Sequence, residues 1–287
     1  MDFIKYRKIS FAFSTIYIII GLALILVRGL NLDIDFTSGT MFEILSENFI
    51  SDEDIRKITD DIDAQMHINR LGENNSTILL KTAKNLSTEE LNVVKAKFEE
   101  SYGIKSEMIT SRTIEASMGS EIRNKAILAT LISIVGILIY VSLRFKLDYG
   151  IAAIVALFHD IIFMVASYSI FNIPINSSFI AAILTVLGYS INDTIVIFDR
   201  IRENLKLYPN KTTYDIVNTS VKQSMTRTIN TSLTTLTAIV ILYIFGVNEV
   251  RVLSLPLMIG VVIGTYSTIF IASPLWYMIR SKKEEAK

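Results

Sequence analysis

The chain has 287 residues, 51% of them hydrophobic, with 28 basic and 28 acidic side chains and no cysteine. Zero net charge gives no bulk attraction to nucleic acid, and the missing cysteine excludes disulfides, thiolate zinc sites and cysteine nucleophiles. A mean hydropathy of +0.46, with repeated apolar runs of roughly 18 residues or more, describes an integral membrane protein.

Lys5, Arg7 and Lys8 precede an apolar run from Ile9 to Val27, long enough to span a bilayer and longer than a signal-peptide core. Residues 1–30 therefore hold a cytoplasmic N-terminus and an uncleaved first span. Residues 31–122 are polar and read as an α+β domain. Strands are expected at Thr40–Leu45, Met66–Arg70, Thr77–Thr82 and Ile104–Thr110, with a turn at Gly72-Glu-Asn-Asn75. Ser51 opens one helix with Ile55, Ile58 and Ile62 on one face, and Ser87-Thr-Glu-Glu90 is a capping box before Leu91, Val94 and Phe98. The order β-α-β-β-α-β is the ferredoxin-like arrangement. The sequons Asn74-Asn-Ser76 and Asn85-Leu-Ser87 are too short a pattern to carry a role.

A polar connection from Ile114 to Lys125 leads to five more apolar runs, at about 126–143, 149–171, 177–198, 228–247 and 255–279, giving a polytopic α-helical membrane protein with six transmembrane helices. In segments, 123–199 holds spans two to four, 200–226 a cytoplasmic loop with an amphipathic surface helix bearing Tyr214, Val217 and Val221, 227–279 spans five and six, and 280–287 a cytoplasmic tail. Basic residues gather in the connections around Arg144 and Lys146, Arg200 to Lys222, and the tail. The turn Asn172-Ile-Pro-Ile-Asn176 has none. The positive-inside rule puts both termini in the cytoplasm and 31–122 outside.

Asp193 is the anomaly, a carboxylate with Thr-Ile-Val-Ile-Phe on one side and a mostly apolar run on the other. Such a group costs roughly 2.5 to 3.5 kcal/mol at a membrane centre, so it faces a cavity or a partner. Tyr189 lies one turn away on its face, and Gly188 and Asn192 form an adjacent pair, Gly188 suiting close helix approach. Asp199, Arg200, Arg202, Glu203 and Asn204 mark the cytoplasmic boundary. The natural counter-charge is Arg227, at the start of a fifth span rich in Thr226, Thr228, Asn230, Thr231, Ser232, Thr234, Thr235 and Thr237. Two readings stand beside each other: a proton relay of Asp193 and Arg227 with Ser190, Thr231 and Thr235 in support, or a polar cluster that glues helices while Arg227 merely sets topology. His159-Asp160 in the third span reads either as an auxiliary relay or as a structural hydrogen bond. Adjacent ligands about 100° apart on a helix do not make a metal site, and neither metal nor cofactor is expected. Gly260-Val-Val-Ile-Gly264 suggests helix packing, and Pro256 and Pro274 suggest kinks at the two ends of span six. HExxH and Gly-x-Ser-x-Gly are absent, which argues against an intramembrane enzyme.

The stretch Gly188-Tyr-Ser-Ile-Asn192-Asp193-Thr-Ile-Val-Ile-Phe-Asp199-Arg200-Ile-Arg202-Glu-Asn204 resembles the SecF proteins of the SecD/SecF protein-export family. So do Asp33-Ile-Asp35-Phe-Thr37-Ser-Gly39-Thr40, Thr226-Arg227-Thr228 with Thr231-Ser-Leu-Thr-Thr235, and Gly264 to Pro274. Two segments depart from the family pattern: Ser38-Gly39 stands for its double glycine, and Ile114-Glu-Ala116 for its Val-Gly-Pro. The resemblance implies half of a resistance-nodulation-division transporter in the prokaryotic inner membrane, with SecD as partner, the SecYEG channel and YajC nearby, and an unfolded exported protein as substrate. It also implies coupling to protons, with Asp35, Thr37 and Gly39 at a hinge after the first span. The alternative is an independent proton-coupled exporter acting as a homo-oligomer.

Overall fold

The computed structural model describes residues 2–46, 48–71 and 77–285. The chain divides into a sheet-containing unit, residues 32–127, and a helical unit made of residues 1–31 and 128–287. The expected turn at 72–75 and the sequon at 74–76 lie outside the described residues.

In the sheet-containing unit the order is α2 (Ile34–Thr37), β1 (Gly39–Leu45), α3 (Asp52–Asp63), β2 (His67–Leu71), β3 (Thr77–Thr82), α4 (Thr88–Tyr102), a 3-10 turn (Ser106–Met108) and β4 (Ile109–Ile114). The strands form one antiparallel sheet in the order β2-β3-β1-β4, with Phe42 opposite Leu80 on one side and Ser111 on the other. Local chemistry starts and stops the helices. Ser51 accepts from the Asp54 N–H at 3.2 Å, Ser87 and Glu90 complete a capping box, and Gly103 ends α4 in a left-handed conformation. One sheet face packs on α3 and α4 through Phe42, Ile44, Ile55, Leu80, Val94 and Phe98, all fully buried. The fourth strand differs from the expected Ile104–Thr110. Lys105 to Met108 tightens into the 3-10 turn, so pairing with β1 begins at Ile109.

Six described helices are long and apolar enough to cross a membrane. They belong to α1 (Arg7–Arg28), α5 (Ala116–Arg144), α6 (Leu147–Ile170), α7 (Ser177–Leu207), α8 (Thr213–Phe245) and a last span in which α9 (Asn248–Ser267), a π-helical turn (Thr268–Ala272) and α10 (Ser273–Glu285) follow without a break. Two corrections to the sequence reading follow. Residues 213–226 are not a separate surface helix: Thr212 caps Asp215, and with no Gly or Pro up to Phe245 the helix runs on into the span. Pro256 lies well inside α9, and the π turn ends two residues before Pro274, whose missing N–H and bulky ring a wider turn accommodates.

Packing is closest where side chains are smallest. A Cβ at Gly260 would overlap Val186, and one at Gly264 would meet the Ser190 Cβ at 3.0 Å, so α7 and α9 approach along that pair. Gly21 meets Ala166 in the same way and seats α1 on α6. Contacts sort the bundle into two ends. Asp2 holds Tyr214 and Asn218, Thr213 donates to Glu284, Lys283 pairs with Asp148, and Arg144 pairs with Asp199 at 2.9 Å. At the opposite end Arg28 donates to the Ser169 and Ile170 carbonyls, and Asn31 to that of Asn172. Both termini therefore meet at the same end.

Candidate functional site

Helix α7 presents the two faces that organise the interior. Asp193 is 3% exposed, and its Oδ2 accepts from the Ser232 hydroxyl of α8 at 3.4 Å. Ser232 in turn accepts from Thr265 of α9 at 2.6 Å. One turn back on α7, buried Ser190 donates to Oδ2 of Asp160 at 2.6 Å. Asp160 is fully buried, and its Oδ1 lies 3.1 Å from His159 Nδ1. His159 Nε2 reaches Ser14 of α1 at 2.9 Å, Ser14 meets the Tyr266 hydroxyl at 3.1 Å, and Tyr266 donates to the Ser10 carbonyl at 2.8 Å. Thr194 and Thr268 join hydroxyls at 2.9 Å between the two acids, and Thr268 also reaches the Ser190 carbonyl. Two buried carboxylates and a ladder of hydroxyls thus span α1, α6, α7, α8 and α9.

Arg227 is exposed and makes no ion pair with Asp193. The physical reason is helical rotation. The buried stripe of α8 runs Ser220, Ser224, Thr228, Ser232, and Arg227 stands about 100° off it. Thr231 is exposed and bonds the carbonyls of Arg227 and Thr228, while Thr235 is half-buried. Gly188 and Asn192 are exposed, and nothing lies within 4 Å of a Cβ at Gly188. The close approach expected there is made by Gly260 and Gly264 instead. Tyr189 is half-buried, and its buried hydroxyl finds no hydrogen-bond partner among the described residues. Ser14, Thr194, Ser232, Thr265, Tyr266 and Thr268 are members that the sequence reading passed over as site residues; the signal was present only as hydroxyls scattered through the spans.

At the end shared by the termini, Asp199 pairs with Arg144 and, at 3.5 Å, with Arg202. Arg200 reaches Glu203 at 2.6 Å and Gln223 at 2.7 Å, and buried Asn204 donates to Ser220 and Gln223. The motif is a tie between α7 and the first turns of α8. In the sheet-containing unit the segment around Asp35, Thr37 and Gly39 makes several local contacts. Asp33 caps α2 and pairs with Lys81 at 2.9 Å, Asp35 faces Arg112 at 3.9 Å, and the Thr37 hydroxyl donates to the Asp33 carbonyl. Gly39 has φ +120° with the Thr82 carbonyl where a Cβ would stand, a place for glycine alone. Among the described residues no group of three or more metal-ligating side chains converges.

Residues 93–282 match the family model "Protein export membrane protein SecD/SecF, C-terminal". The chain is 37% identical to the protein translocase subunit SecF of Borreliella burgdorferi over 96% of each chain, and 36% identical to that of Sebaldella termitidis over 100% of this chain and 94% of the relative. The chain belongs to the SecD/SecF protein-export family. Its likeness extends to longer relatives. It is 38% identical to the Bacillus subtilis subunit SecDF, of which it covers 37%. It also superposes on the crystal structure of SecDF from Thermus thermophilus, a translocon-associated membrane protein, with a TM-score of 0.89 and 31% identity over 99% of this chain and 39% of that one. A SecDF structure in the super-membrane-facing form gives 0.71 and 29% over 100% and 39%.

Proposed function

We propose that this chain is the SecF-type subunit of the Sec translocase accessory complex and uses the proton-motive force to promote protein export, with a SecD chain as its partner. The observation that carries the reading is Asp193: a carboxylate 3% exposed inside a family member, hydrogen-bonded to one distant hydroxyl and joined to no cation in an ion pair. A buried acid with so little fixed compensation is built to change its proton occupancy. Arg227 acts on Asp193 through space in this arrangement without forming an ion pair, and a helix movement that brings the guanidinium into contact favours the ionised carboxylate. Each proton crossing 100 mV releases about 2.3 kcal/mol, enough to bias a conformational step.

Support for the partner comes from α8, where Thr226, Arg227, Asn230, Thr231, Thr234 and Thr237 are not covered by the chain's own helices. Hydroxyl, amide and guanidinium groups inside a bilayer call for a protein or water lining rather than lipid. In SecDF relatives a longer chain carries the remainder. The strand order matches a ferredoxin-like domain. With the basic connections inside, that domain projects outward, where it meets the emerging unfolded protein beside SecYEG and YajC. Asp193→Asn, reconstituted with the SecD-type partner and channel, loses proton-driven export while assembly persists. Full export by that variant removes Asp193 from the mechanism, and full export by Arg227→Lys reduces that residue to a topology signal.

A further inference from the structure

The hydrogen bonds around His159 fix their own direction, and that direction counts protons. A tyrosine hydroxyl has one proton, and Tyr266 gives it to the Ser10 carbonyl at 2.8 Å. Ser14, 3.1 Å from the same oxygen, must therefore donate to Tyr266. Having spent its proton, the Ser14 oxygen accepts from His159 Nε2 at 2.9 Å, so Nε2 carries hydrogen. The other ring nitrogen lies 3.1 Å from Asp160 Oδ1, and an imidazole lone pair against a carboxylate would set two acceptors face to face. Ser190 already occupies Oδ2 as a donor at 2.6 Å.

We infer that His159 and Asp160 hold one shared proton between Nδ1 and Oδ1, forming a proton-binding site separate from Asp193. The proton balance has two forms. Either a neutral imidazole accepts from a carboxylic acid, or an imidazolium donates to a carboxylate, and the pair has zero net charge in both. That neutrality suits a pair of which Asp160 is fully buried, because a lone ionised carboxylate there would be costly. Of the other titratable side chains on the packed elements, Tyr266 of α9 is already in the chain of bonds, Tyr17 of α1 donates to Ser167 at 3.1 Å, and Arg28, Asp148 and Asp199 are engaged at the two ends of the bundle. Helix α7 offers Ser190 and turns Asp193 toward Ser232. The site stands whether or not Asp193 carries protons, and it links α1, α6, α7 and α9 through one exchangeable hydrogen.

The chain has two histidines, His67 and His159, so a His67→Gln chain labelled with nitrogen-15 histidine in lipid nanodiscs reports on one imidazole. At neutral pH the expected spectrum shows Nε2 protonated. It also shows either a second ring proton on Nδ1 or, in the infrared, a protonated-carboxyl band that Asp160→Asn abolishes. In Asp160→Asn the amide donates to Nδ1, leaving a neutral ring with Nε2–H. A bare Nε2 in the unsubstituted His159 environment overturns the inference, as does a neutral ring without a protonated-carboxyl band from Asp160. If Asp160→Asn fails to fold, Asp193→Asn removes the other buried carboxyl, so that a band surviving in it supports the inference and a neutral ring with no surviving band overturns it.

Discussion

The two units of this chain solve opposite solvent problems. The sheet-containing unit buries Phe42, Ile44, Leu80, Val94 and Phe98 completely and keeps charges out of that core. The helical unit buries Asp160, Ser190, Asp193 and Thr268 and leaves Ile16, Leu131 and Leu233 uncovered. It is also unevenly closed. The buried share of the most apolar stretch is 61% for α6, 50% for α7 and 56% for the last span, against 11%, 6% and 17% for α1, α5 and α8. Three helices make a closed nucleus and three present faces to lipid or to another protein. The difference places both buried carboxylates in the nucleus, with α1 and α8 adding hydroxyls to them from the rim.

The largest test of that division substitutes glycines on opposite sides of α7. Gly260→Leu drives a side chain into Val186 and is expected to destabilise the nucleus by about 3 kcal/mol or more, seen as a lowered Tm in detergent. A Cβ at Gly188 meets nothing within 4 Å on this exposed face, so Gly188→Leu is expected to leave the Tm of the isolated chain unchanged. Equal losses from both would erase the distinction between closed and open faces.

A second test moves to the sheet-containing unit. Ser38 has φ 68° and ψ 170°, a region suited to glycine. Relief of that strain outweighs the added freedom of the unfolded chain, so Ser38→Gly is expected to raise stability by about 1 kcal/mol. Slower hydrogen exchange at the amides of β1 and β4 checks it. Unchanged or faster exchange would mean that the Ser38 hydroxyl, which sits beside Gly119, contributes more than the backbone costs.

What the sequence disclosed follows the cost of the feature. Asp160 and Asp193 stood out because a carboxylate in an apolar run is expensive, and the capping box at Ser87 and the Gly260 and Gly264 pair stood out because few residues serve those positions. The partner of Asp193 did not. With hydroxyls on every face of α8, composition cannot say whether Ser232 or Arg227 turns inward, and only the rotation of the packed helix decides. The start of β4 was hidden for a similar reason: Ile104 and Ile109 are both apolar and both buried, and the 3-10 turn between them changes which one begins the strand.

The smallest expected effect tests how the sheet-containing unit uses a charge that the helical unit would have to bury. Asp63, at the end of α3, accepts from the Thr82 hydroxyl and from the Gln65 N–H at 3.1 Å. The Thr82 bond, aided by the Gln65 N–H and opposed by desolvation, holds its carboxyl below the ordinary value of about 3.9. A group with a depressed folded pKa stabilises fully above its unfolded value, and that contribution disappears as pH falls through the folded one. Asp63→Asn keeps an oxygen that can accept from Thr82, so the variant melts only slightly below the parent at neutral pH. The two curves should converge as the pH falls through the lowered folded-state value, because both side chains are then neutral. A gap that persists unchanged into acid would assign the difference to packing at the end of α3 rather than to charge.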